Sequence, residues 1–438
     1  MLICPPGGPE LRRYFDHIEK VWKVSEHITY NKHVDGAVFD EKKHQWLVEC
    51  SDGSETYCDW FIPCIGFASR RYTPPVPGLG NFRGDIYHTA VWPQHGVNLK
   101  NKRIGQIGTG ASGIQCAQEV AEKSKHFTLY QRTPNMCLPM NQRKLDPEEE
   151  EKKKKEGKYD EAFAATRKTF AGFTYDFIEK NTFDDTPEER EKFYHHLMIE
   201  EGGFRFWLNT YKDMLFDEKA NNEAYQFWKK SVRQRVKNPE KQELLAPEKA
   251  PHPWGTKRPS LEQRFYEVID MDHVDIIDVN KHPITDVDAT GISTDAGHVD
   301  LDVIILATGF DSVTGSLAQL NIQGIKGGTI ADHWKNGTKT SMGIAMPEFP
   351  NMFFLYGPQA PTAFSNGPSC TQFQAEFLAK FFQKIKDEKI TRVEATDEYE
   401  EDWCKRMNEH WNKSLFPQAK SWYQGANIPG RKVEPLNW

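Results

Sequence analysis

The sequence lacks several things that whole classes of protein require. None of its 438 residues fall in an apolar run approaching the ~18 needed to span a bilayer. The opening Met1-Leu2-Ile3-Cys4-Pro5-Pro6-Gly7-Gly8 has neither the basic start nor the long apolar segment of a signal peptide. The eight cysteines are scattered, with no C-x-x-C and no Cys/His ligand spacing. That pattern leads us to expect reduced thiols in a cytoplasmic protein and no metal site. Positive charge is not in excess either: 56 Lys+Arg against 63 Asp+Glu leave a net −7, which gives no reason to expect nucleic-acid or anionic-membrane binding. Aromatics, by contrast, are plentiful, with 12 Trp and 27 Phe. They suit either aromatic-lined pockets or ordinary core use.

The best-formed motif is Arg103-Ile104-Gly105-Gln106-Ile107-Gly108-Thr109-Gly110-Ala111-Ser112-Gly113-Ile114. It reads as a strand, a G-x-G-x-x-G turn and a helix whose Ile114, Ala117, Val120 and Ala121 keep helical spacing. Gly108 permits the tight turn, Gly110 lets a pyrophosphate approach the backbone, and Gly113 lets the helix pack on its strand. The helix start offers free N–H groups and partial positive charge to phosphates. A second strand, Phe127–Tyr130, follows at βαβ distance and ends in Gln131-Arg132-Thr133. An acidic residue there would bind the ribose hydroxyls of NAD, whereas Arg132 tolerates a 2′-phosphate, so the site reads as NADP-type.

A distant echo divides the chain. Asp59-Trp60-Phe61-Ile62-Pro63-Cys64-Ile65-Gly66-Phe67 matches Asp302-Val303-Ile304-Ile305-Leu306-Ala307-Thr308-Gly309-Phe310 in its Asp, its apolar run and its Gly-Phe. A hairpin-like stretch precedes each copy. Such a repeat implies two copies of one unit, each ending in the strand that faces a dinucleotide. Only one Gly-rich loop is present, so the expectation is that the first nucleotide-binding domain lacks its opening βαβ.

Residues 9–20 look helical, with Leu11, Tyr14, Phe15 and Ile18 on one face. Val34–Phe39 and Trp46–Cys50 read as strands. Residues 70–100 form a Pro-rich connector that includes Phe82-x-Gly84-x-x-x-His88-x-x-x-Trp92-Pro93. Residues 141–256 are charged, aromatic and mostly helical in pattern, an insertion into the NADP unit. Asp146 is an N-cap, Pro147 follows, and Glu148–Glu151 face Lys152–Lys155 at i,i+4 on a solvated helix. The insertion ends at Gly255-Thr256-Lys257-Arg258-Pro259, where two adjacent cations could hold phosphate or stabilise an oxyanion. Taken alone, solvated surface charge is the commoner explanation of such a pair. In the tail, 349–358 is strand-like, 373–390 is an amphipathic helix, and 421–430 has no obvious secondary structure.

With these motifs assembled, the chain resembles the Baeyer–Villiger monooxygenases. The Phe82, Gly84, His88, Trp92, Pro93 set is similar to that family's F-x-G-x-x-x-H-x-x-x-W-P fingerprint, and the resemblance runs from about residue 9 onward. In general character it looks most like fungal secondary-metabolite members. The resemblance implies an α/β fold with two dinucleotide-binding, Rossmann-like domains of the FAD/NAD(P)-binding type, the first truncated at its N-terminus, plus a helical insertion. Its divisions are 1–95 as the FAD-domain remnant with the fingerprint linker, 96–140 with 257–310 as the NADP domain, 141–256 as the insertion, and 311–438 as the remainder of the FAD/substrate domain.

It also implies an enzyme using FAD, NADPH, O2 and a small-molecule ketone to give an ester or lactone. Family members reduce FAD with NADPH and trap O2 on it as a peroxide that attacks the carbonyl. Arg258 matches the cation that stabilises that anion. Lys257 and Arg132 match the grip on the 2′-phosphate, and Trp422 a residue near the nicotinamide. Gly108, Thr109, Gly110, Ala111, Ser112, Gly113, Thr133, Thr308, Gly309, Gly66 and Asn366 complete the implied cofactor contacts. His88 is expected to link domains rather than transfer protons. The alternatives are an inactive NADP-binding remnant and a heteroatom-oxygenating relative. A flavin-free NADP reductase is a third reading.

Overall fold

The computed structural model describes residues 3–4, 6–360 and 365–436. The β-propensity and apolar run of 103–107 and 126–131 place these segments at the centre of a five-stranded parallel sheet. Its order is Val274–Asp278, His126–Gln131, Arg103–Ile107, Val303–Leu306, Asp85–His88. Val303–Leu306 is buried at all four positions and pairs on both sides, with Ile104–Ile107 and with Asp85–His88. The edge strand Asp85–His88 comes from the connector, on the other side of the expected boundary at residue 95. Its backbone extends the second unit's sheet because Val303–Leu306 offers it an unpaired edge.

The echo is realised as geometry. Val34–Asp40, Gln45–Cys50 and Glu55–Cys58 form an antiparallel meander ahead of the first copy. Ile284–Val287, Gly291–Thr294 and Gly297–Asp300 form another ahead of the second. Phe61 then bridges Met352 in parallel, as Val303–Leu306 pairs with Asp85–His88. The expected strands at 59–67 and 349–358 are reduced to this single bridge, with Phe61 N–H donating to the Asn351 carbonyl and Phe353 N–H to that of Phe61. Pro63 removes a ladder donor from the first segment, and Asn351 and Tyr356, both at positive φ, bend the second.

The insertion packs its helices onto the second sheet. Pro187–His195, Arg205–Leu208 and Glu218–Arg235 share one core with the βαβ, in which Trp207, Trp228, Trp254, Tyr194, Tyr211, Tyr225 and Phe206 are fully buried. Much of the aromatic content is therefore core. Asp146 caps Pro147–Lys155 as expected, accepting from Glu148 N–H. Of the four Glu→Lys pairs, Glu149–Lys153 and Glu151–Lys155 form, while Lys152 turns forward to Glu156. The helix Gly8–Trp22 forms too, yet none of its residues is buried, and Tyr14, Phe15 and Trp22 are exposed. The tail's helix begins earlier than its apolar pattern suggests, spanning Gly367–Asp387, because Asn366 caps it and Pro368 suits its first turn. Residues 422–424 add a turn of 3-10 helix.

Burial also leaves one titrating contact in the first unit's core. His333 Nε2 lies 2.9 Å from the carboxylate of the buried Glu400, and Nδ1 lies 3.8 Å from Glu348. The hydrogen bond to Glu400 raises the His333 pKa, against the opposing effect of burial. A raised pKa stabilises the fold while histidine is protonated, and that contribution fades as pH rises through the folded value. His333→Gln should therefore lower the thermal midpoint more at about pH 5.5 than at about pH 8.5. Equal losses at both would show that the contact contributes no charge-linked stability.

Candidate functional site

The phosphate loop is shaped by steric necessity. Gly108 has φ +108°, and a Cβ there would sit 2.4 Å from the Ala307 carbonyl oxygen. A Cβ on Gly113 would sit 2.5 Å from the Gly108 oxygen, so helix and strand touch through these two glycines. Gly110 is different. A Cβ there would meet nothing within 4 Å, which leaves the backbone face open to a ligand. Gly110 caps the Ala111–Val120 helix without a side chain, so the first-turn N–H groups around Ala111 and Ser112 have no side-chain acceptor. These features make a cradle for a pyrophosphate.

Two residues hold the cradle that the motif alone does not reveal. Buried Gln106 donates from Nε2 to both the Gly108 and Gly113 carbonyls, each at 3.0 Å. Asn135 donates to the Thr109 carbonyl at 3.1 Å and accepts from Ser260 N–H at 3.1 Å. It thus ties the loop to the chain just beyond Lys257 and Arg258. Thr109 itself donates from Oγ1 to the Thr133 carbonyl at 2.8 Å.

The cations lie beside this loop. Among the described residues no carboxylate forms an ion pair with Arg132, Lys257 or Arg258. Lys257 is half-buried, and its pKa is pushed down to about 8, first by burial and then by the charge of Arg132. Two neighbouring cations with no protein anion fit a phosphate dianion. The guanidinium of Arg258 stands 5.0 Å over the Phe204 ring and also acts on Tyr356 and Tyr423. Burial pushes the Tyr356 phenol up to about 12 and the enclosed Tyr423 higher still. Both remain neutral phenols, so neither cancels the arginine's charge.

Around this centre the aromatic side chains converge from both units. Phe67, which follows Gly66 (φ +70°), stacks on Trp422 at 5.7 Å and 6°, and meets Tyr356 at 5.5 Å. Trp422 in turn contacts Tyr423 at 4.5 Å. The tail is fastened over the strand ends, with Arg431 paired to Asp311 at 2.6 Å and Asn427 donating to the Phe310 carbonyl at 2.9 Å. Gly309 (φ +81°) and Gly66 occupy equivalent places in the two copies, and a Cβ on either would meet nothing within 4 Å.

The fingerprint residues build the crossing between units. Gly84 admits the Phe82 ring, because a Cβ there would meet that ring at 2.6 Å and the Asp302 oxygen at 2.4 Å. His88 Nδ1 accepts from Ala90 N–H at 3.0 Å, so its proton sits on Nε2, which faces the Tyr72 carbonyl at 3.2 Å. Thr308 Oγ1 donates to the same carbonyl at 2.6 Å. Burial lowers the His88 pKa and keeps it neutral in this structural role. Trp92 packs on Tyr87 at 5.5 Å, and Pro93 accepts from Gly96 N–H. Asn366, expected as a cofactor contact, also caps the Gly367–Asp387 helix. Its carboxamide oxygen accepts from Ser369 N–H at 3.1 Å as a helix cap. Among the described residues no cluster of His, Cys, Asp and Glu could hold a metal, and no helix is long and apolar enough to cross a membrane.

Comparison with known proteins identifies the family. No family model matches the chain. It is 44% identical to cyclopentanone 1,2-monooxygenase of Comamonas sp. over 433 residues, 99% of this chain and 78% of that protein. It is 41% identical to the FAD-binding monooxygenase VdtE of Byssochlamys spectabilis over 443 residues, 99% of this chain and 77% of that one. The crystal structure of OTEMO in complex with FAD and NADP superposes with a TM-score of 0.92 at 31% identity, covering 98% of this chain and 80% of that one. With near-complete coverage at these identities, and with the phosphate loop, the crossing and the unneutralised cations all in place, the chain belongs to the Baeyer–Villiger family of FAD-binding monooxygenases.

Proposed function

We propose that this protein is an FAD- and NADPH-dependent oxidoreductase that inserts one oxygen atom of O2 beside the carbonyl of a small-molecule ketone. The observation that carries this reading is the Lys257–Arg258 pair, cationic, without a carboxylate partner, and tied through Asn135 to the phosphate loop. NADP fits the second unit. Gly108–Gly113 would receive its pyrophosphate, Arg132 and Lys257 its 2′-phosphate, and Thr133, Thr308 and Gly309 would border it. FAD fits the equivalent edge at Gly66, with Phe67 and Trp422 adjoining, although the sequence holds no second G-x-G-x-x-G loop to face that edge. When bound, FAD supplies the redox chemistry that activates O2, and NADPH supplies the hydride.

Within this reading Arg258 provides a fixed positive charge where negative charge develops on oxygen. Arginine cannot lose its proton at working pH, so it stabilises an oxyanion without protonating and quenching it. The neutral phenols of Tyr356 and Tyr423 keep that charge uncompensated. The stacked Phe67 and Trp422, with Tyr356, offer an apolar wall against which a ketone can shed water. Trp92-Pro93 supports oxygenation at carbon rather than at a heteroatom. The scattered cysteines support a cytoplasmic setting, and a secondary-metabolic role accords with the likeness to fungal VdtE.

Two outcomes test the reading. In FAD-loaded protein, Arg258→Ala should reduce ester or lactone formation by about 10²-fold or more while NADPH oxidation continues. Undiminished product would remove the role given to Arg258. Lys257 loses its charge as pH rises through about 8. The preference for NADP+ over NAD+ should accordingly fall above that pH and become flat in Lys257→Arg, whose charge persists. A preference in wild type that is independent of pH from about 7 to 9 would show that Lys257 does not read the 2′-phosphate.

A further inference from the structure

The turn carrying Lys257 and Arg258 is held at its ends rather than at its charged side chains. Asn221, on the Glu218–Arg235 helix and 4% exposed, grips both main-chain groups of Trp254. Its Oδ1 accepts from Trp254 N–H at 2.7 Å, and its Nδ2 donates to the Trp254 carbonyl at 2.9 Å and to the Met214 carbonyl at 2.9 Å. The helix beneath is anchored by buried Ala220, Ala224, Tyr225, Trp228 and Val232. Next along the chain, Trp207 Nε1 donates to the Gly255 carbonyl at 3.0 Å. Gly255 (φ +75°) lies so close to that indole that a Cβ would sit 2.8 Å from it. Thr256 closes the turn on the Pro253 carbonyl at 2.6 Å, and Ser260 N–H is taken by Asn135. Between these tethers Lys257 makes no ion pair among the described residues, so its position is set by the backbone that carries it.

We propose that Asn221 is a positioning residue for nucleotide selectivity, acting through Trp254 to hold Lys257 where the 2′-phosphate of NADP arrives. The proposal rests on the reading of Lys257 given above. It assigns to the helical insertion a function the phosphate loop cannot supply. The loop binds the pyrophosphate shared by NAD and NADP, whereas the insertion sets one of the two contacts, with Arg132 the other, that distinguish them.

The test measures dissociation constants of NADP+ and NAD+ for the purified chain by calorimetry, so that it does not depend on turnover. Asn221→Ala should weaken NADP+ binding about tenfold and NAD+ binding less than about twofold, the scale set by losing backbone hydrogen bonds behind one charged contact. Lys257→Met should do the same, and the double variant should be no worse than Lys257→Met alone, because the two act through one contact. An equal loss for both nucleotides, or additive losses in the double variant, would overturn the proposal and leave Asn221 a stabiliser of the fold. A Lys257→Met variant with an unchanged NADP+/NAD+ ratio would remove the underlying reading of Lys257, and the proposal with it. Should the alanine variant not fold, Asn221→Ser, whose hydroxyl is a bond shorter than the amide but keeps a polar group facing Trp254, should show a loss of the same ratio. An unchanged ratio in that variant would overturn the proposal.

Discussion

The proposed site depends on keeping Arg132, Lys257 and Arg258 with no carboxylate paired to them among the described residues. Like charges repel, and partial burial of an ammonium disfavours its charged form, which is why Lys257 has a lowered pKa. Carboxylates elsewhere in this acidic chain pair freely with its cations, so their absence here leaves the charge available to an anion that arrives from outside. In the function proposed above, a nucleotide phosphate relieves the repulsion at Lys257 and Arg132, while Arg258, on the next residue, stays free for a second negative charge. On that proposal adjacent residues divide cofactor binding and chemistry, which requires the turn beneath them to be rigid.

Rigidity comes from how the two units are joined. Val303–Leu306 is paired on one side by the strand that launches the phosphate loop and on the other by Asp85–His88 from the connector. The fingerprint is therefore a packing device: Gly84 admits the Phe82 ring, and neutral His88 and Thr308 share the Tyr72 carbonyl. The tail is clamped across the same strand ends by Arg431 and Asn427. Trp422 consequently reaches Phe67 of the first unit, and the aromatic wall joins the cation turn through Tyr356 and Tyr423.

What could be read in the sequence was what depends on neighbours in sequence. The loop glycines, the Asp146 cap and the meander before each echoed strand all act locally, and each is present. Residues whose partners are remote left no signal. Asn135 bonds Ser260 125 positions away, and Asn221 bonds Trp254 33 positions away. Nothing in an isolated Asn distinguishes such a clamp from a turn residue. Gln106 was hidden inside a strand pattern that its polar side chain merely interrupts. The Asp85–His88 strand escaped because a run of four residues among prolines and glycines looks like linker until a partner edge is known.

The central claim, that an unneutralised pair of cations receives the 2′-phosphate, is tested most directly by phosphorus NMR of bound NADP+. Beside Arg132 and Lys257 the 2′-phosphate should stay dianionic to distinctly lower pH than in free NADP+, and Lys257→Met should return its titration most of the way to the free value. A bound 2′-phosphate that titrates as it does in free solution would contradict the account.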